Sequence, residues 1–262
     1  TNLNTWTQIP GTLESLLVGD FNNDGKDDLA GLNDSGSIFY TTNLSSWTQI
    51  PGTLDSLVAG DFNGDGLSDL AGLNSLGGIY YTTDLNTWNQ VPGSIEKLVS
   101  GDFNNDGVDD LAGLNSAGLI YYTTNLSTWT QVPGMLDDLI VGDFNGDGFD
   151  GLAGLNAQGY VYYTTNLASW SQVPGTIADL LSADLNGDGA SDLAGLNCLG
   201  HVYYTTDLGT WTQIPGTLAN LISGNLDGTG GDDLAGLNAN GDMFYTTNLS
   251  TWIQIPGKLA PY

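Results

Sequence analysis

The chain is nearly devoid of basic residues and has one cysteine and one histidine. Thirty of its 262 residues are acidic, three are lysines and none is arginine, so the formal net charge is −27. This balance excludes nucleic acid and anionic membranes as partners, because binding to either depends on lysine and arginine. The single cysteine, Cys198, excludes an intrachain disulfide. With no arginine and only His201, no catalytic set can be assembled, and we expect no enzymatic activity.

Long apolar runs and helical periodicity are also absent. No apolar run approaches the roughly 20 residues of a membrane-spanning helix, and no segment keeps the 3.6-residue apolar period of a surface helix. What the chain has instead is glycine, with 38 residues that recur at short intervals. Short apolar stretches between turns rich in glycine, asparagine and aspartate are typical of β-strands. The sequence therefore predicts an all-β protein.

One unit recurs along the whole chain with a step of 41 residues. Within residues 53–93 we predict strands at 54–60, 70–74, 78–83 and 87–91. Four short antiparallel strands in this length are typical of a propeller blade, which takes about 40–45 residues. Six such units fit the chain and seven do not, so the prediction is a six-bladed β-propeller of four-stranded antiparallel blades. A β-solenoid is the alternative fold.

We predict a single domain over residues 1–262. Residues 1–11 are a surplus copy of the last strand of a blade, and the sequence leaves open whether this copy caps an edge, displaces its twin or pairs with another chain. The predicted blades span about 12–52, 53–93, 94–134, 135–175, 176–216 and 217–257.

Each unit carries an acidic loop, of which Asp61 to Asp69 is an example. Side chains with oxygen atoms stand at positions 1, 3, 5 and 9, and Gly66 follows the third of them. Carboxylates this close repel one another unless a cation lies between them, and this spacing of oxygen ligands suits Ca²⁺. A turn rich in aspartate and asparagine without metal is the alternative. An EF-hand is excluded, because Gly72 stands where that motif has a bidentate glutamate.

Four of the six loops are complete. The fourth has Gly151 at position 9, beside Asp150, and the sixth, from Asn225 to Asp233, has lost two carboxylates, so we expect weak binding or none there. The predicted structural Ca²⁺ ligands are Asp20, Asn22, Asp24 and Asp28; Asp61, Asn63, Asp65 and Asp69; Asp102, Asn104, Asp106 and Asp110; Asp143, Asn145 and Asp147; and Asp184, Asn186, Asp188 and Asp192.

The stretch from Gly60 to Gly72, Gly-Asp-Phe-Asn-Gly-Asp-Gly-Leu-Ser-Asp-Leu-Ala-Gly, resembles the FG-GAP (VCBS-type) repeat of integrin alpha-chain propellers. In that family the same loop joins the first two strands of a blade and holds Ca²⁺. Among free-standing propellers the chain resembles the Psathyrella velutina lectin type, which is secreted and binds N-acetylglucosamine between neighbouring blades. These resemblances imply a secreted, Ca²⁺-stabilised propeller with a sugar ligand.

Aromatic and amide side chains at fixed phase in each unit are the candidate sugar contacts. Packing between blades is the alternative for each series, and for the tryptophans it is the preferred interpretation. The candidates are Trp47, Trp88, Trp129, Trp170 and Trp211; Tyr81, Tyr122, Tyr163 and Tyr204; and Asn74, Asn115, Asn156 and Asn197.

Near-identical units imply several near-identical sites, which favours multivalent binding over catalysis at one asymmetric centre. The leading hypothesis is a multivalent lectin whose partners are glycans, including those of cell-surface glycoconjugates. A protein-interaction or adhesion propeller that binds no sugar is the main alternative. A polysaccharide lyase is a remote one.

Overall fold

The computed structural model of the chain describes Leu3 and residues 5–259, and all of its regular secondary structure is β. The described residues form 24 strands in six four-stranded sheets, each with its strands in chain order. Neighbouring strands of a sheet run antiparallel. This confirms the predicted six-bladed propeller with four-stranded antiparallel blades. Within the described residues no helix is long and apolar enough to cross a membrane.

The six sheets have similar strand lengths. The first contains β1 (Ser15–Gly19), β2 (Asp28–Leu32), β3 (Ser37–Thr41) and β4 (Thr48–Thr53). The second contains β5 (Ser56–Gly60), β6 (Asp69–Leu73), β7 (Ile79–Thr82) and β8 (Asn89–Val91). The third contains β9 (Lys97–Gly101), β10 (Asp110–Leu114), β11 (Leu119–Thr123) and β12 (Thr130–Met135). The fourth contains β13 (Asp138–Gly142), β14 (Gly151–Leu155), β15 (Tyr160–Thr164) and β16 (Ser171–Thr176). The fifth contains β17 (Asp179–Ala183), β18 (Asp192–Leu196), β19 (His201–Thr205) and β20 (Thr212–Thr217). The sixth contains β21 (Ile222–Gly224), β22 (Asp233–Leu237), β23 (Asp242–Thr246) and β24 (Ile253–Lys258).

The chain divides into two compact units. One comprises residues 8–139, and the other comprises the described residues of 1–7 and 140–262. In the first unit Ile38 and Ile50 of the first sheet share a buried apolar cluster with Leu70 of the second. In the other unit Val202 of the fifth sheet shares one with Leu234 of the sixth. Within each unit the core therefore lies between neighbouring sheets. The single-domain division of the chain stays a prediction.

In five of the six sheets that the structure describes, the outermost strand has a bulge near its end; the second sheet is the exception. In the first sheet Ser37 pairs with Thr53 but Ile38 pairs with Ile50, so Pro51 and Gly52 are extra residues on β4. Proline suits such a position because it has no N–H to lose from the ladder. Gly52 has a φ of 109°, which a side chain would disfavour. The carbonyl group of Pro51 is thereby left out of the strand pairing and can accept a hydrogen bond from elsewhere.

The surplus N-terminal copy forms no strand in its described part, residues 3 and 5–11. The sixth sheet keeps its own outer strand, β24, so the copy does not displace its twin. Trp6 Nε1 instead donates a hydrogen bond of 2.8 Å to the carbonyl oxygen of Pro256. Residues 1, 2 and 4 of the predicted copy lie outside the described residues.

Candidate functional site

Two pockets of the same construction lie between neighbouring repeats, one in each unit. The Trp88 pocket has a volume of about 220 Å³ and is lined by Gly52, Thr53, Leu54, Asn74, Tyr80 and Trp88. The Trp252 pocket has a volume of about 560 Å³ and is lined by Pro215, Gly216, Thr217, Leu218, Asn238, Phe244, Ser250, Thr251 and Trp252. In both, the end of an outer strand meets the asparagine, the third-strand aromatic and the tryptophan of the following repeat. The repeat thus builds an aromatic-plus-amide pocket more than once.

The tryptophans join one repeat to the one before it. Trp88 Nε1 donates to the carbonyl oxygen of Pro51 at 2.7 Å. Trp47 does the same to Pro10, and Trp129 to Pro92, both at 2.6 Å. In all three cases the acceptor is the proline of the Pro-Gly pair that ends the preceding repeat. This geometry supports the preferred interpretation of the tryptophan series as packing between blades, although Trp88 also presents part of its ring to the pocket.

Two tryptophans lack this hydrogen bond. The Nε1 atoms of Trp211 and Trp252 are buried and have no hydrogen-bond partner within the described residues. Their rings still lie against the glycine of the preceding bulge, since a Cβ placed on Gly175 or Gly216 would come within 3.3–3.4 Å of them. At these two positions the ring therefore still packs on the preceding repeat, but the hydrogen bond from Nε1 is missing.

Each asparagine of the predicted ligand series holds its own turn. Asn74 Oδ1 accepts hydrogen bonds from the backbone N–H of Leu76 and Gly78, at 3.0 and 2.8 Å. Asn115, Asn156 and Asn197 accept the equivalent pairs of bonds. The Oδ1 atom of each asparagine therefore stabilises its turn. The Nδ2 group of Asn74 makes no hydrogen bond within the described residues, and Asn74 is one of the residues that line the Trp88 pocket.

The Trp88 and Trp252 pockets are lined by the first aromatic residue of the third strand, Tyr80 or Phe244, whereas the sequence analysis proposed the second. Tyr80 pairs with Gln90, two residues from Trp88, so Tyr80 and Trp88 share a face of the sheet. Tyr81 points to the opposite face and packs on a buried cluster with Val58. The predicted Tyr122 and Tyr163 contact the loop residues Phe103 and Phe144 edge to face, at 6.2 Å between ring centroids, and Tyr204 packs on the buried cluster of the fifth and sixth sheets.

The acidic loops join the first two strands of each sheet, as the FG-GAP resemblance implies. Gly60 and Asp69 form the last pair of the β5–β6 ladder, and the loop closes between them. Asp61 Oδ1 accepts the N–H of Gly64 at 2.7 Å, and Oδ2 accepts that of Gly66 at 2.7 Å. The loop backbone is thus wrapped around the carboxylate at position 1. Asp61 Oδ1 also accepts the N–H of Asp65 at 3.2 Å, and Asp65 Oδ1 accepts that of Leu67 at 2.9 Å.

The carboxylate at position 9 is the buried member of each complete loop. Asp69 is only 2% exposed, and its Oδ2 accepts the N–H of Phe62 at 3.0 Å. Burial raises the pKa of Asp69 to about 7, and repulsion by Asp65 and Asp61 adds to the rise, which the Phe62 hydrogen bond opposes. The pKa of Asp110 is raised to about 7 and that of Asp192 to about 6, again chiefly by burial. The carboxylates of each loop therefore repel one another, and a cation bound between them would reduce this repulsion.

The donor types suit Ca²⁺, but the acids do not form a closed cage. Among the described residues, no three acidic, histidine or cysteine side chains are placed as ligands of one metal ion. In the fourth loop, where Gly151 replaces the buried aspartate, Asn145 Nδ2 donates to Asp147 Oδ2 at 2.8 Å. In the sixth loop Asn225 Oδ1 accepts the N–H of Gly228 at 2.7 Å. A cation in the complete loops would draw on asparagine and backbone oxygens as well as carboxylates.

Cys198 lies in the turn before β19, and His201 is the half-buried first residue of that strand. Cys198 is exposed, and His201 Nδ1 lies 3.5 Å from Asn197 Nδ2. Neither lines the Trp88 or the Trp252 pocket. Cys198 therefore lies at a turn position and His201 at a strand position, and no role is assigned to either.

A comparison with protein families identifies the repeat. The Tectonin domain matches residues 102–261, which is more than half of the chain. The chain belongs to the Tectonin domain family. This family consists of β-propellers, in agreement with the six sheets. The match supports neither the FG-GAP resemblance nor the resemblance to the Psathyrella velutina lectin type, and both stay predictions. Among curated proteins, none matches the chain.

Solved structures show that the propeller fold of this Tectonin chain is shared with distant proteins. The structure of BBS1N in complex with ARL6DN superposes with a TM-score of 0.69 at 13% identity, over 95% of this chain and 83% of that one. Virginiamycin B lyase from Staphylococcus aureus superposes with a TM-score of 0.64 at 12% identity, over 94% of this chain and 89% of the lyase. At these identities the similarity concerns the fold alone.

Proposed function

We propose that this Tectonin protein is a multivalent lectin that binds glycans in pockets between neighbouring repeats. The observation that carries the proposal is the recurrence of one pocket, made of a tryptophan, a second aromatic ring and an asparagine amide, in both compact units. An aromatic face suits the apolar side of a sugar ring, and an amide suits its hydroxyl or acetamido groups. A pocket that recurs with the repeat supports several binding events on one chain.

The Trp88 pocket has the size and the donors for one sugar ring. Its volume of about 220 Å³ lies below the roughly 300–1,000 Å³ of pockets for drug-sized ligands. Asn74 Nδ2 is a donor without a partner within the described residues, and Tyr80 adds a second aromatic ring. We propose N-acetylglucosamine-type glycans as ligands, because an acetamido carbonyl is a strong acceptor for such a donor. Weak single sites of this kind combine into high avidity on a glycan-bearing surface.

We propose further that the complete acidic loops hold structural Ca²⁺. Asp61, Asn63, Asp65 and Asp69 would bind the ion in the second repeat, and their counterparts would do so in the first, third and fifth. The buried carboxylate of Asp69, crowded by Asp61 and Asp65, supports this. An extracellular location goes with the proposal, since the Ca²⁺ modules of extracellular proteins bind in the range of about 10⁻⁴–10⁻³ M. The bound ion would stabilise the fold and take part in no reaction.

The lectin proposal implies no catalysis. A virginiamycin B lyase shares the fold, and a distant propeller has been solved with a protein partner, but neither likeness extends beyond the fold. A protein-binding propeller predicts affinity that survives competition by free sugar, and a lyase predicts a new unsaturated product from an acidic polysaccharide. Sugar-blocked binding separates the lectin from both.

A glycan array with Ca²⁺-loaded protein tests the proposal, together with an Asn74→Asp variant. Asp keeps the Oδ1 acceptor that holds the turn and removes the Nδ2 donor from the pocket. Tyr80→Phe is the matched control, because the sixth repeat carries Phe244 at the same place. We expect array signal on one terminal sugar that is reduced in part by Asn74→Asp and little by Tyr80→Phe. A blank array, with no sugar binding at millimolar ligand, would overturn the lectin proposal.

A further inference from the structure

A second and larger cavity adjoins the Trp88 pocket. It has a volume of about 590 Å³ and lies between the turn after β6 and the connection that leads into β9. We call it the acidic cavity, because its lining residues include Asp55 and Glu96, together with Ser75, Ser94 and Ser116. All of these residues belong to one compact unit.

The two cavities have a common wall. Asn74 lines both of them. Two consecutive residues also line different cavities: Leu54 lines the Trp88 pocket and Asp55 lines the acidic cavity. The acidic cavity therefore begins on the far side of Asn74 from the Trp88 pocket, and its volume is large enough for another sugar ring.

The chemistry of the acidic cavity restricts what can enter it. Carboxylates accept hydrogen bonds and repel anions, and no lysine lines this cavity. Lys97 follows Glu96 but forms an ion pair with Asp138. Hydroxyl and ammonium groups are donors that suit carboxylates, whereas a uronic or sialic acid would bring an unpaired negative charge next to Asp55 and Glu96.

We propose that the Trp88 pocket and the acidic cavity together bind an oligosaccharide of at least two sugar units, with a neutral or amino sugar in the acidic cavity. The inference rests on the proposed glycan binding at the Trp88 pocket and adds the length and the charge of the ligand. The Trp252 pocket provides an internal contrast, because the position equivalent to Asp55 there is Ala219. We therefore expect the Trp252 pocket to prefer a longer ligand less strongly than the Trp88 pocket does.

The test compares N-acetylglucosamine with its β1–4 dimer at individual pockets. The indole N–H signals in a ¹H–¹⁵N spectrum, assigned with Trp88→Phe and Trp252→Phe variants, give a separate Kd at each pocket. We expect the dimer to bind at Trp88 about tenfold more tightly than the monomer, the factor that one hydrogen bond to a charged group contributes. In Asp55→Ala/Glu96→Ala this advantage should disappear while monomer binding stays unchanged. The fifth and sixth repeats carry Ala178 and Ala219 at the same position, so the variant is expected to fold.

The outcomes separate this inference from the lectin proposal. Equal Kd values for monomer and dimer at Trp88 would overturn the extended site and leave the lectin intact. A dimer advantage that survives in the double variant would overturn the assignment to the acidic cavity. If neither sugar shifts any indole signal at millimolar concentration, N-acetylglucosamine binding itself fails, and this inference fails with it.

Discussion

Replacing Trp88 by phenylalanine should destabilise the protein more than the same change at Trp252. Both substitutions remove a similar part of a half-buried ring. Only Trp88 also loses a hydrogen bond, the one of 2.7 Å from its Nε1 to the carbonyl oxygen of Pro51. Trp252 Nε1 is buried without a partner within the described residues. Trp252→Phe therefore removes a buried donor that makes no hydrogen bond.

The expected difference follows from these two terms. A neutral hydrogen bond contributes about 1 kcal/mol to the free energy of unfolding, and a buried donor without a partner is unfavourable by about 1–3 kcal/mol. Because the loss of ring size cancels in the comparison, the two terms add to about 2–4 kcal/mol, and Trp88→Phe should lower the free energy of unfolding by at least about 2 kcal/mol more than Trp252→Phe. In a protein of this size that corresponds to a difference in Tm of roughly 4–8 °C.

Urea unfolding followed by circular dichroism measures both variants against the parent protein. Trp211→Phe is the matched control, since its Nε1 is also buried without a partner, and it should behave like Trp252→Phe. Equal losses at Trp88 and Trp252 would refute the argument, because the hydrogen bond to Pro51 would then contribute nothing to stability.

Three further predictions concern the acidic loops and the turns. Removal of Ca²⁺ by a chelator should lower the Tm by more than about 5 °C, because one site filled at a hundredfold excess over its Kd contributes about 2.7 kcal/mol; differential scanning fluorimetry measures this. Asp65→Ala should lower the Tm less than full chelation does, since it affects one loop. Stability should also fall as the pH drops from about 4 to about 2, because backbone hydrogen bonds from Thr87 and Asn86 lower the pKa of Asp84 to about 2.

A different outcome would contradict each of these three predictions. An unchanged melting curve in excess chelator would contradict structural Ca²⁺. An Asp65→Ala loss equal to that of full chelation would contradict independent loops. For the acid response the sign follows from a folded-state pKa below the ordinary value: the stabilisation is present above pH 4 and disappears below it. Asp84→Asn places the residue of Asn43 at this turn, and it should remove this part of the pH dependence; a pH profile unchanged by the substitution would contradict the assignment to Asp84.

The blades could be predicted from the sequence because several independent features of the repeat indicate the same structure. Short apolar stretches, glycine turns and a fixed 41-residue step all point to the same four strands. The turn asparagines follow the same logic, since Asn74 begins a turn that its own side chain stabilises. Local rules suffice for such features, because the hydrogen bonds concerned join residues close in the chain.

The pocket depends on register and on bulges, which local rules do not determine. Tyr80 and Tyr81 are adjacent and alike, and only the pairing of Tyr80 with Gln90 decides that Tyr80 shares a face with Trp88. Counting alternate residues back from Trp88 across the hairpin would have identified it. The difference between Trp88 and Trp252 has no such signal, because both stand in near-identical segments, Thr87-Trp-Asn-Gln-Val91 and Thr251-Trp-Ile-Gln-Ile255. That difference arises from how each ring meets the preceding bulge.

The most direct test of the central claim is the stoichiometry of N-acetylglucosamine binding, measured by isothermal titration calorimetry on the Ca²⁺-loaded protein. A lectin built from repeated pockets should take up more than one sugar per chain, with at least the Trp88 and Trp252 pockets occupied. Saturable binding at several sites, partly lost in Asn74→Asp, is the predicted result. No heat of binding at millimolar sugar would contradict the account and reassign the aromatic series to packing between blades.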